Sequence, residues 1–431
     1  MTHRTSPWEL IGEMPVRETL ESGLEIVVLP KPGLKRTYAT YATHYGSIDS
    51  HFRPDGSDAV VDVPDGIAHF LEHKMYEKPQ GHDVFERFAE LGAYTNAYTE
   101  YTSTTFLFSA TSAVGECIDT LLRLVEEPYF THDNVEKEKG IIEQEIRMYL
   151  DMPGERLRSN LMHALYQKNP VRLDIAGTVE SIRTITPDDL YVCYRTFYHP
   201  SNMVIFLAGD VNPDAVIGQI ADHERTRQLA PHAAIERIYP QEPAAVAQKR
   251  VEQRMPVATP LWMMGYKDDR VGLVGRDLLR RDLTISLMWS LLLGPSAPLF
   301  NDLYEEGLIN ERFSAHYSSA TTYGLSQMGG ETPDPERLEA VLLQRLGSEP
   351  LLPRSFERLK RKEIGEFVAL FENLEELAFA FTAFHFRGID LADVPAVLED
   401  ISLAEVEQLR QEHLRDSMRA TSIVLPLATN R

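Results

Sequence analysis

Cysteine is nearly absent. Only Cys117 and Cys193 occur, too few for a disulfide framework and without the spacing of a zinc knuckle, so both are expected as buried thiols. Cations are also in deficit, with 43 Lys and Arg against 65 Asp and Glu and a formal net charge of −22. Such a surface repels a phosphate backbone over most approaches, which argues against nucleic acid and favours neutral or cationic partners. No run approaches the ~20 consecutive apolar residues of a membrane-spanning helix, so no membrane partner is expected. Met1 to Pro15 mixes His3, Arg4, Glu9 and Glu13 with isolated apolar residues. It has neither a secretory apolar core nor the acid-free character of a transit peptide, and the expected location is the cytoplasm.

What is present belongs to an ordinary globular protein, 43% hydrophobic and 25% charged. At ~150 residues per domain the length implies two or three domains. Strand-like runs at Leu24 to Leu29 and Tyr38 to Gly46 give way to helical periodicity from Gly66. Strand character returns over Tyr94 to Ala110, followed by helices over Val114 to Glu126 and Asn134 to Leu150, the latter stopped by Asp151, Pro153 and Gly154. A helix over Asp188 to Phe197 and a buried strand, Met203 to Ala208, close the first half. Pro231, Pro240 and Pro243 mark a linker. The same order then returns, with a strand at Leu261 to Tyr266, a helix ending at Leu293, another near Ser296, strands within Arg312 to Gly330, and helices from Pro335 onward. This reads as an α+β protein with an internal duplication, its domains at residues 1–230 and 249–431 and its linker at 231–248.

The segment Asp65-Gly-Ile-Ala-His69-Phe-Leu-Glu72-His73-Lys-Met75 carries the chemistry. Its apolar residues recur at helical spacing, and at 100° per residue His69 and His73 stand ~40° apart with Glu72 about 60° on the other side of His69. Two imidazoles four residues apart can share one zinc ion, with the carboxylate as general base, in the inverted H-x-x-E-H arrangement. Helix-face histidines alone are more often solvated or core-satisfied than metal-bound, and a catalytic zinc needs a third ligand. The helix after Asp133 offers Glu136, Glu138, Glu143 and Glu145, and Asp133 with Glu136 has the spacing of a capping box. Glu138 and Glu145 are only ~20° from eclipsed, whereas Glu143 lies about 140° from Glu138. One face thus holds two carboxylates; a solvated acidic face with Lys137 and Lys139 is the competing reading.

With these motifs the sequence resembles the insulinase, pitrilysin and mitochondrial processing peptidase family of zinc peptidases, most closely a bacterial two-domain branch. Further similar segments are Gly92 to Thr99, Ala176 to Ile182, Phe197 to Met203 and Gly209 to Val211. The resemblance implies His69, His73 and Glu145 as zinc ligands, Glu72 as catalytic base and Glu138 as a supporting acidic residue. It also implies a substrate-binding edge strand at Asn96, Ala97 and Tyr98, and two homologous α/β-sandwich units forming half of a peptide-enclosing chamber. The activity implied is zinc-dependent endopeptidase action on peptides or small unfolded polypeptides, the alternative being a non-catalytic peptide-binding or scaffold subunit. The second half departs from the family. Tyr304 stands where an Arg is expected, and Asn310 or Glu311 where a Tyr is expected, with Arg312 and Tyr317 nearby. The expected partner is therefore a homologous subunit bearing that Arg and Tyr, in a heterodimer, or else a second copy of this chain. Elemental analysis of protein never exposed to chelator should find one zinc per chain; finding no transition metal would refute the ligand set.

Overall fold

The computed structural model describes residues 8, 11–54, 56–79, 83–227 and 234–428. The expected domain end at residue 230, the linker residues 231–233 and most of the N-terminal stretch fall outside them.

In chain order the first repeat runs β1 (Val16–Thr19), β2 (Glu25–Pro30), β3 (Thr37–Thr43), β4 (His51–Arg53), β5 (Val61–Asp62), α1 (Ile67–Met75), α2 (Val84–Glu90), β6 (Tyr94–Thr99) and β7 (Thr104–Ala110). It continues with α3 (Val114–Glu126), α4 (His132–Asp151), α5 (Pro153–Leu165), α6 (Val179–Thr184), α7 (Pro187–Phe197), β8 (Met203–Gly209), α8 (Pro213–Thr226) and β9 (Glu236–Arg237). The second comprises β10 (Arg250–Met255), β11 (Leu261–Lys267), α9 (Gly275–Leu293), α10 (Pro298–Glu305), β12 (Ser314–Ser319) and β13 (Gly324–Glu331). It ends with α11 (Pro335–Arg345), α12 (Pro353–Leu370), α13 (Leu374–His385), α14 (Val394–Asp400), α15 (Leu403–His413) and β14 (Arg419–Pro426).

The two sheets share one five-strand topology, to which the first adds β1 at its edge. The first sheet has the order β1-β2-β8-β3-β7-β6 and the second β10-β14-β11-β13-β12. In both, one pair is parallel, β2 with β8 and β10 with β14, and every other neighbour is antiparallel. β14 lies inside the second sheet, although the helix-rich reading after Pro335 does not predict it. Its run Ala420 to Leu425 is short and interrupted by Thr421 and Ser422, and only its two distant partners, β10 and β11, define it as a strand.

Each compact unit is discontinuous in sequence. One comprises residues 1–146, 174–238 and 368–386, the other 147–173, 239–367 and 387–431. The passage near the prolines, at 238/239, is one of several. The cause is visible in the packing. β3 and β8 are buried along their whole lengths, so both faces of the first sheet need cover. Met203, Ile205 and Leu207 enter the main apolar cluster of the first unit. Phe206 points the opposite way and stacks on Phe381 of α13, with ring centroids 4.5 Å apart. In the second unit α5 takes the corresponding place, packing on β10, β11 and β14. There Leu157 meets Met255 and Val424, and Gly265 admits Leu161 and Leu165 where a Cβ would lie within 3.1 Å of both. α4 stops at Asp151 as expected, and Pro153 also occupies the first turn of α5, where its missing N–H costs nothing.

The start of α4 also differs from the expected capping box. Thr131 and Asn134 make the reciprocal pair: Asn134 Oδ1 accepts from the Thr131 N–H at 2.8 Å and Thr131 Oγ1 from the Asn134 N–H at 3.2 Å. Asn134 also donates to the Tyr129 carbonyl, which fixes its amide in that register.

Replacing Phe381 should therefore weaken the first unit although the residue lies late in the chain. Phe381→Ala is expected to cost about 3–5 kcal/mol, read as a lowered urea midpoint by tryptophan fluorescence. An unchanged midpoint would show that α13 does not support the sheet.

Candidate metal centre

The site begins with a tight turn. Gly66 caps α1 with φ 90°, and a Cβ there would meet the Ala176 carbonyl oxygen at 2.4 Å. Gly177, φ 74°, is as close to the Asp65 carbonyl, so the two turns need glycine at both positions. The Ser181 hydroxyl donates to the Asp65 carbonyl at 2.8 Å, clamping the entry to α1. Beyond the turn, Ile67, Phe70, Leu71 and Met75 bury the inner face of the helix.

α4 supplies the facing carboxylates. Val135, Ile142 and Ile146 anchor it in the core. His69 Nε2 lies 3.7 Å from one oxygen of Glu145, and His73 Nε2 lies 3.6 Å from the other. The donor atoms of these three residues all fall within 4.8 Å of one another. Glu143, by contrast, pairs with Arg183 at 2.8 Å. Glu138 sits behind the histidines, with Oε1 3.1 Å from His73 Nδ1 and Oε2 3.3 Å from Lys74 Nζ. A carboxylate on Nδ1 leaves Nε2 to face Glu145, the usual support of a metal-bound histidine. Two imidazole nitrogens and one carboxylate form a borderline-soft, three-donor set, which fits zinc with a coordination position left open.

Burial, reinforced by the neighbouring His73, lowers the pKa of His69 to about 4, so this imidazole is neutral at physiological pH. His73 moves the other way. Burial alone would lower its pKa, but the Glu138 hydrogen bond and the surrounding carboxylates outweigh it. For Glu138 burial opposes ionisation and is outweighed by His73 and Lys74, which hold its pKa low. Burial raises the pKa of Glu72, against the opposing hydrogen bond from Thr99. That bond, Thr99 Oγ1 to Glu72 Oε2, is 2.6 Å long.

β6, which carries Asn96, Ala97 and Tyr98, forms one edge of the first sheet and ends at Thr99, so the edge strand leads directly to Glu72. Two residues of this cluster have no role in the sequence reading. Lys74 is fully buried and also pairs with Glu77, a contact suggested only by their three-residue spacing. Thr99 closes a strand whose alternation does not announce a polar link to α1. The residues at the anomalous positions lie in the second unit. Tyr304 is half exposed and stacks on Phe300, and Asn310 bonds to Glu331 and to the Arg312 N–H. Tyr317 donates its hydroxyl proton to Asp268 at 2.7 Å, beside the Asp268–Arg281 ion pair.

Residues 56–179 match Insulinase (Peptidase family M16), and residues 184–362 match Peptidase M16 inactive domain. The chain is 42% identical over 422 residues to an uncharacterized zinc protease, YmfH, of Bacillus subtilis, covering 97% of this chain and 98% of that protein. It also resembles the crystal structure of an M16-like peptidase from Alicyclobacillus acidocaldarius, with a TM-score of 0.93 and 39% identity over 96% of this chain and 99% of that one. A shorter similarity, 28% over 169 residues, relates 38% of this chain to 32% of an Arabidopsis thaliana protein named as a mitochondrial-processing peptidase subunit beta. The chain belongs to the insulinase family, peptidase family M16.

The two neighbouring glutamates of α4 should separate cleanly. After dialysis, Glu145→Gln protein is expected to have lost its metal, whereas Glu143→Gln should retain the wild-type content by elemental analysis. The reverse pattern would exchange their assignments.

Proposed function

We propose that this chain is a zinc-dependent endopeptidase acting on peptides or small unfolded polypeptides. The observation that carries this reading is the joint placement of His69 Nε2 and His73 Nε2 against the two oxygens of Glu145, with Glu72 beside them, held by Thr99 rather than by the ligand set. His69, His73 and Glu145 would hold the ion, which supplies Lewis-acid polarisation of a carbonyl and activation of water. Glu72 takes a proton from the attacking water and returns it to the leaving amine; its raised pKa suits both directions of transfer. Thr99 fixes one oxygen of Glu72 and leaves the other for that exchange. Glu138 is a positioning residue, acting through His73 Nδ1. An extended peptide adds to the open edge of β6 along Asn96, Ala97 and Tyr98, which recognises backbone more than sequence.

Oxyanion stabilisation needs further donors, and losing one such donor commonly costs about 2.7–4 kcal/mol. Tyr317 is committed to Asp268, Asn310 to Glu331 and the Arg312 backbone, and Tyr304 is no cation. We therefore assign the missing Arg and Tyr to a second, homologous subunit, with this chain bearing the metal.

Glu72→Gln should keep its metal and lose peptide cleavage by about 10²-fold or more, measured on an unstructured fluorogenic peptide. Wild-type turnover by that variant would eliminate the general-base role. No chelator-sensitive cleavage by the wild type, with or without a homologous subunit, would leave the fold as a peptide-binding scaffold. High turnover by the isolated chain, abolished by Arg312→Ala, would overturn the two-subunit reading.

A further inference from the structure

The second unit contains a cavity of about 310 Å³, formed by the end of α9, the start of α10 and the first turns of α12. Leu291, Pro298 and Leu359 give it apolar walls, and Arg358 and Lys362, one turn apart on α12, supply its cations. None of its lining residues is acidic, although the chain has 65 Asp and Glu. The Arg358 guanidinium donates to Ser296 Oγ at 3.2 Å, and Ser296 also lines the cavity, so the charge is tethered to its wall. Lys362 shares its charge with Glu366 at 2.7 Å and Glu363 at 3.6 Å, neither of which lines the cavity. Arg354 and Arg361, both exposed, continue the basic stripe at helical spacing.

A ligand that satisfies this site needs one anionic group and an apolar body. The volume is at the small end of the ~300–1,000 Å³ typical of ligand pockets, enough for a side chain the size of leucine with its carboxylate. A bare inorganic anion would leave the apolar walls uncovered, and an uncharged apolar group would leave Arg358 without a counter-charge. A planar guanidinium beside an ammonium matches a carboxylate. We propose that this cavity binds a carboxylate carried on an apolar chain, with the carboxylate held by Arg358 and Lys362 and the chain against Leu291, Pro298 and Leu359. The same chemistry is offered by the C-terminus of a peptide ending in an aliphatic residue and by a free medium-chain acid.

Calorimetric titration of the full chain with acetyl-Ala-Ala-Leu, with the same tripeptide as its C-terminal amide, and with octanoate tests the site. The acid should bind at least about tenfold more tightly than the amide. The double variant Arg358→Gln, Lys362→Gln should erase that difference without shifting the thermal unfolding midpoint, since both side chains are exposed. Octanoate binding alone, lost in the double variant, supports the site with free acids as its source. Binding of the tripeptide acid alone supports it with peptide termini as the source. Equal affinity for acid and amide, no binding of any probe, or a preference for the acid that survives the double variant would overturn the proposal.

Discussion

Three carboxylates crowd one largely buried corner of the first unit, and their mutual repulsion must be offset if α1 and α4 are to lie side by side. Glu72, Glu138 and Glu145 each have a separate means of accommodation. Lys74, with no exposed surface, places its ammonium on Glu138; Thr99 donates to Glu72; and the two imidazoles face Glu145. An ion pair in such a place recovers its desolvation cost only with good geometry and further hydrogen bonds. Here the lysine bonds to two carboxylates and the histidine to one, and the pKa values of Glu138 and Glu72 are driven apart. Divergent carboxylates within one site are the usual way to obtain a permanently charged support and a proton carrier together.

The two repeats apply the same topology to different ends. In the first, the element between β3 and β6 carries His69, Glu72 and His73; in the second, the corresponding helix α9 is an apolar core helix, burying Leu279, Ile285, Met288, Trp289 and Leu292. The order of strands within the two main sheets does not distinguish the two positions. The chemistry resides in side chains placed on a repeated scaffold, which is why order of elements alone reveals the duplication but not its function.

Periodicity and spacing carry far in this chain because the decisive signals are local. The i, i+3, i+4 pattern of His69, Glu72 and His73 and the seven-residue interval from Glu138 to Glu145 follow from helix geometry alone. The α3 boundaries, Val114 and Glu126, are likewise written in apolar residues three and four apart. The features that escape are relational. β14 depends on two strands more than 150 residues earlier, Lys74 becomes informative only beside Glu138, and Thr99 only beside Glu72. The shift of the α4 cap from Asp133 to Thr131 is a contest between two valid local patterns, decided by the extra bond of Asn134 to Tyr129.

The exchange of helices has a consequence for how the chain is made. The first unit has His69, His73 and Glu145 by residue 145, yet the face of its sheet that bears Phe206 waits for α13, which ends at His385. During synthesis from the N-terminus, that apolar face is open while more than a hundred further residues emerge. Contacts of such sequence separation are slow to form, and exposed strands invite association in the interval. A fragment that ends near the proline-marked boundary would carry His69, His73 and Glu145 beside a sheet with one face uncovered. The late helix is thus the element that closes this face, and each unit draws one covering element from the other half of the chain.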